Sequence, residues 1–144
     1  MTPVQRDYLL RMIERIGQML IAIRKRIAAG EDAATIEESL RRVAADGGVA
    51  LDIARLSSPD TLVLFVAPNG EVEPTRCWMF AELLLLDGLQ AQAEGRDADA
   101  RTSFEKALLL YRLVEPGGAL LLGWPEAAAR IDEVERQLHE LPAP

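Results

Sequence analysis

Residues 88–107 read GLQAQAEGRDADARTSFEKA. Gly88, Ala100, Phe104 and Ala107 place small, small, large and small side chains where two antiparallel helices would cross. Without bulk at 88 and 100 the backbones can approach closely, Phe104 fills the space beyond the crossing, and Ala107 admits a further helix. Gly95-Arg96 breaks the first helix, and Asp97 can cap the second over residues 98–113. The stretch predicts a helical hairpin.

Upstream, the first arm of the hairpin runs from about Pro74 to Glu94. Met79, Phe80, Leu83, Leu84, Leu85 and Leu86 leave its first half almost no polar face. A helix apolar all round has to be surrounded by protein, so this is the expected central helix. Phe104, Ala107, Leu108 and Tyr111 give the second arm one apolar side. Downstream, Glu115-Pro116-Gly117-Gly118 reads as a loop before ALLLG. Pro125 is expected to open a last amphipathic helix, with Ala128, Ile131, Val134 and Leu138 inward and Glu126, Arg130, Glu133 and Arg136 outward.

The N-terminal half is also helical in pattern. From about Pro3 to Ala29, Leu9, Met12, Ile13, Ile16, Met19, Leu20, Ile23 and Ile27 recur at three- and four-residue steps and form one wide stripe. Thr2 suits the cap, Pro3 the first turn and Gly30 the left-handed stop. Gly17 inside the helix suggests a close crossing, and Asp7 can reach Arg11 four residues on. Asp32 caps a second helix to about Ala45, with Ile36, Leu40 and Val43 inward. Residues 49–54 form a short helix after Gly47-Gly48. Ser58-Pro59-Asp60 starts another through TLVLFV (61–66), a run that strand propensity also fits; helix is preferred because no second strand exists to pair with it. Residues 67–70 are a turn.

Composition agrees with an all-α chain. Of 144 residues 49% are apolar but only 5% aromatic, with Leu and Ala abundant and β-branched residues sparse, which favours helix over strand. This length buries roughly two-thirds of the unfolded chain's surface, enough for a core without disulfide or metal. The expected architecture is a single domain over 1–144. It is an antiparallel bundle of about five to seven helices, with N-terminal helices over 1–66 and a hairpin plus capping helix over 71–141.

Charge and motifs narrow the function. Residues 1–45 hold eight basic and six acidic residues, and residues 46–144 hold eight and seventeen. An acidic body is unsuited to nucleic acid, which a basic stripe would have to bind. Arg24-Lys25-Arg26 sits where the first helix's dipole favours positive charge. Cys77, the only cysteine, lies in CWMF and reads as a buried, inert thiol; His139, the only histidine, sits near the end of the last helix. The carboxylate pairs Glu37-Glu38 and Asp97/Asp99 fit a solvated helix face and a helix N-terminus. Neither a phosphate loop nor metal-ligand spacing nor a nucleophile–base arrangement is present. No catalytic, cofactor-binding or metal-binding residue is therefore expected, and no cofactor. No apolar run approaches the ~20 residues of a membrane span, so a soluble, cytoplasmic protein is expected.

Residues 81–114 resemble one tetratricopeptide repeat, a helix–turn–helix unit of roughly 34 residues. Leu84, Gly88, Ala100, Phe104 and Ala107 carry the match, with Gly95 at the turn. Asp87, Ala91 and Arg112 depart from it, standing where the repeat usually has an aliphatic residue, an aromatic and a proline. The opening Asp7, Tyr8, Leu9, Arg11, Ile13 and Glu14 is similar to the start of a small group of uncharacterised bacterial all-helical proteins. The repeat resemblance implies a protein-binding role. Arrays of such units need about three or more, and one is found here; residues 32–66 do not repeat the spacing. In such units the first helix lines the groove, here with Leu85, Leu89 and Ala93, and the long first helix of this chain is expected to fill it. The function expected is a non-enzymatic interaction or scaffold module with a protein partner. The alternative is a homodimer joined through the long first helix, where Leu9, Ile16 and Ile23 recur at seven-residue steps beside Met12 and Met19.

Overall fold

Thr2 opens the chain's first helix as the sequence anticipates. In the computed structural model, which describes residues 2–114 and 127–144, the Gln5 amide donates to Thr2 Oγ1 at 3.2 Å and the Thr2 amide donates to Gln5 Oε1 at 3.0 Å. This reciprocal box satisfies two amides that would otherwise lack partners. Helix α1 (Pro3–Ala28) then runs 26 residues and ends before Gly30, whose φ of 73° is the left-handed stop. Helix α2 (Ala33–Asp46) is capped by Asp32, which accepts from the Thr35 amide at 3.2 Å.

Helix α3 (Leu51–Leu56) begins two residues later than the expected start at Val49, because Val49 and Ala50 are not helical. TLVLFV is helical, within α4 (Pro59–Val66), where Ser58 caps and Pro59 takes the first position. The central α5 (Pro74–Ala93) is followed by Gly95 at φ 75° and then α6 (Asp97–Val114) and α7 (Ala127–Glu140). Asp97 is the first residue of α6 instead of standing before it. The expected loop at 115–118, the ALLLG run and the Pro125 helix start lie outside the described residues. Among the described residues there are seven helices and no strand: the chain is an all-α bundle.

Two apolar clusters meet on α5. In one, Ile16, Leu20, Ile23 and Ile27 of α1 and Ile36, Leu40 and Val43 of α2 pack on Met79, Leu83 and Leu86. In the other, Leu84, Leu85 and Ala91 of α5 pack with Phe104, Ala107 and Leu110 of α6, Ile131 and Val134 of α7, and Leu62 and Val66 of α4. The α5–α6 crossing works as its small residues predict. A Cβ placed on Gly88 would lie 2.6 Å from Phe104 Cε1, and Phe104 is fully buried. A Cβ on Gly47 would likewise collide with the tip of Met79, so the α2 end lies hard against α5.

Helix α1 covers the central helix, but along a different row than expected. It packs on Met79, Leu83 and Leu86; Leu85 belongs to the cluster with α6, Leu89 borders both clusters, and Ala93 is exposed. The seven-residue seam proposed for a homodimer is also largely used within the chain. Ile16 and Ile23 are buried in this core, each 3% exposed.

Candidate functional site

Helices α2, α3, α5 and α6 border a polar cleft of about 570 Å³ near the α5–α6 turn. Arg55, at the end of α3, occupies its wall. Its Nη1 and Nη2 donate to the Glu37 carboxylate at 2.7 and 2.6 Å, and its Nε and Nη2 donate to Asp87 at 3.2 and 2.8 Å. One guanidinium thus ties α2 and α5 to α3 through paired, charge-assisted hydrogen bonds. The hydrogen bond from Arg55 holds the Glu37 carboxyl below its ordinary pKa, against the opposing effect of burial. The Glu37 contact in turn raises the pKa of Arg55.

Lys106 reaches the same wall from α6. Its Nζ donates to the Arg55 carbonyl at 3.0 Å and the Ala54 carbonyl at 3.4 Å, closing carbonyls at the end of α3. Burial lowers the pKa of this ammonium, while the charge of Asp87 works in the other direction. Arg96 on the rim pairs with Glu94 at 2.8 Å and Asp99 at 3.0 Å. Every cation lining the cleft is therefore engaged by a neighbour. The cleft offers a polar surface of four carboxylates and three cations, and a three-helix staple.

The structure revises the reading of the carboxylate pairs. Glu38 does face solvent, bonded only to Arg42 one turn on, but Glu37 is a partner of Arg55. Asp97 and Asp99 lie in the first turn of α6, where their charge suits the helix N-terminus. Asp87, a departure from the repeat pattern, is the second partner of Arg55.

A second polar network sits inside the bundle. The Tyr111 hydroxyl donates to Glu82 Oε2 at 2.7 Å, Arg130 donates to Glu82 Oε1 at 3.1 and 3.2 Å, and Arg130 Nη1 donates to Glu133 at 2.9 Å. Arg24 of α1 completes the chain by pairing with Glu133. Arg130 and Glu133 were expected to point outward; both are instead largely buried, because they neutralise Glu82 and reach α1. Burial first, and then the negative charge of Glu82, push the Tyr111 phenol well above its usual pKa. Burial and the neighbouring charge of Arg130 lower that of Arg24. The Tyr111 ring stands edge-on to Trp78, centroids 5.3 Å apart.

The lone cysteine and histidine fall where the sequence places them. Cys77 is fully buried, its thiol donates to the Leu110 carbonyl at 3.2 Å, and burial pushes its pKa up to about 12. His139 lies exposed in the last turn of α7. Among the described residues no group of His, Cys, Asp and Glu is placed to hold a metal ion.

The surface that periodicity alone does not reveal is the start of α1. Burial of its stripe begins at Ile13; before it, Leu9 and Met12 are half-buried, while Val4 and Tyr8 are 78% and 70% exposed. The helix therefore extends about 15 Å beyond its last buried contact, with Leu9 on the buried stripe and Val4 and Tyr8 to one side of it. Arg6, Asp7, Arg11, Glu14 and Arg15 form no ion pair with any described residue, including the expected Asp7–Arg11 pair.

Comparison with protein-family models, with curated proteins and with solved structures finds no match to this chain. The site geometry therefore stands by itself. Among the described residues no helix is long and apolar enough to cross a membrane.

Proposed function

We propose that this chain is a non-enzymatic protein–protein interaction module whose docking element is the projecting start of α1. The carrying observation is the uncovered end of the helix: Val4 at 78% and Tyr8 at 70% exposure, beside half-buried Leu9, precede Ile13, where burial begins. A helix that buries its later turns and extends apolar side chains of its first turns into solvent has the form of a helix awaiting a partner surface. Tyr8 suits such a role, since a tyrosine supplies a large rigid contact with a polar tip.

The tetratricopeptide-like reading of the α5–α6 hairpin fits this function as architecture. The hairpin is the frame against which α1 is packed, and its inner row is occupied by the chain itself, so the partner surface moves to α1. Catalysis and nucleic-acid binding are poor fits: the charged groups of the cleft are committed to one another, and acidic residues outnumber basic ones by 23 to 16.

A photo-activatable cross-linking residue at position 8, with a control at exposed Arg136, tests the proposal in the native cell. Position 8 is expected to give a polypeptide adduct that position 136 does not. If both positions give the same pattern, or none, α1 is not a docking element.

A further inference from the structure

The chain has a second exposed apolar surface, and its chemistry complements the first. At the α3–α4 corner Leu56, Leu64 and Phe65 are 85%, 68% and 38% exposed. Scattered exposed leucines are ordinary, but Leu64 and Phe65 are adjacent, and the Phe65 ring already rests near Phe80 at 6.4 Å. The borders of this patch carry Asp60, Glu71 and Glu73 and a cation, Arg76, which donates to the Phe65 carbonyl at 3.2 Å and pairs with Glu73 at 3.4 Å. Asp60 lies one turn before Leu64 on the same face of α4, and Glu71 follows the turn that ends α4; both are exposed.

The N-terminal turns of α1 hold Arg6, Arg11 and Arg15 against Asp7 and Glu14, a slight basic excess, whereas the chain after α1 is acidic. Arg11 and Arg15 share the face of Val4 and Tyr8, and neither they nor Arg6 has an ion-pair partner among the described residues. Within one chain the two surfaces belong to elements that pack elsewhere: α1 on α2 and α5, and α4 on α5 and α6.

We propose that the α1 overhang of one copy docks on the α3–α4 surface of a second copy of this chain, Tyr8 and Val4 against Leu64 and Phe65, with the arginines of α1 facing Asp60 and Glu71. This rests on reading the overhang as a docking element, and it names the partner. A stable interface takes about 800 Å² from each side, more than a few turns of one helix present. Reciprocal exchange doubles the contact, and about a two-fold axis it closes into a dimer.

Light scattering after size exclusion, at about 100 μM chain, reads the outcome. In about 50 mM salt the mass is expected to be at least twice that of one chain. It is expected to fall toward one chain in about 500 mM salt, where exposed charge pairs are screened. Y8D and L64D change exposed side chains only. Each is expected to keep the wild-type melting curve and to halve the mass or more. A cross-linker at position 8 is expected to join residues 56–71 of the second copy. The proposal is overturned by a single-chain mass at low salt, by an oligomer that L64D leaves intact, or by an adduct confined to α1 of the second copy. If the mass is that of one chain while position 8 still captures a different polypeptide, this inference falls and the interaction-module reading stands. A single-chain mass with no adduct removes both.

Discussion

Gly88 and Phe104 carry the α5–α6 crossing between them, and each is sensitive in its own direction. Phe104 has no exposed surface, so Phe104→Ala removes a buried ring and leaves a void. The expected loss is about 3–5 kcal/mol in urea unfolding; a loss under about 1 kcal/mol would show that the ring does not hold the hairpin. Gly88→Ala is the smallest overpacking test, since its new methyl would sit 2.6 Å from the ring. Because backbone and ring are both fixed by packing, about 1–3 kcal/mol should be lost despite alanine's better helix propensity. Cys77 provides a check of the same core without changing it. With its pKa near 12 and no exposure, the native thiol should react with a thiol reagent at pH 8 on the order of a thousandfold more slowly than in urea. An equal rate in both would mean the core opens freely.

At the scale of elements, the short α3 depends on polar ties more than on burial. It spans six residues and has no side-chain cap, and Arg55 fastens it to α2 and α5. Arg55→Met keeps most of the volume but leaves Asp87, 15% exposed, without its cation. About 2 kcal/mol should be lost at pH 7, between the values for exposed and buried pairs. The pH dependence has a definite sign. Glu37 titrates below its ordinary value of 4.5 in the folded chain, so its contribution is present above that value and is lost as pH falls through the lower, folded one. Acid should therefore narrow the gap between wild type and Arg55→Met; a gap constant from pH 7 to pH 3 would remove the ion pair as its cause. These ties mark the boundary of what the sequence makes legible. The apolar steps of α1, α2 and α5 recur locally, and the caps at Thr2, Asp32 and Ser58 are local too, so both could be read directly. Arg55 and Asp87 stand 32 positions apart with no periodic signal between them. The hint is Asp87 itself, a charge on a largely apolar helix, which has to find a partner once buried. Arg130 and Glu133 misled for the related reason that amphipathic spacing assumes charges face water. A buried Glu82 on the neighbouring helix reverses that preference.

At the scale of the molecule, α1 does two separable things, and two truncations distinguish them. Its residues from Ile13 onward close one of the two clusters: Ile16, Leu20, Ile23 and Ile27 cover Met79, Leu83 and Leu86. Each of those isoleucines and leucines contributes about 1.5–3 kcal/mol by leaving water. Together they approach the whole stability of a typical domain, about 5–15 kcal/mol. Deleting residues 1–29 should therefore leave a chain that binds a hydrophobic dye and lacks a cooperative thermal transition. The first eleven residues bury almost nothing, and their removal gives up chiefly the Thr2–Gln5 box. That costs about 1 kcal/mol, so a chain beginning at Met12 should melt cooperatively within a few degrees of the full one. If the fold needed the overhang, the shorter deletion would unfold it, and the exposure of Val4 and Tyr8 would have to be explained as part of the core's own closure. If residues 30–144 melted cooperatively as a monomer, the Met79–Leu83–Leu86 row would not need α1. Retained stability with lost association in the Met12 chain is the result that assigns α1 its division of labour: the C-terminal turns fold the bundle, and the N-terminal turns are left for a partner.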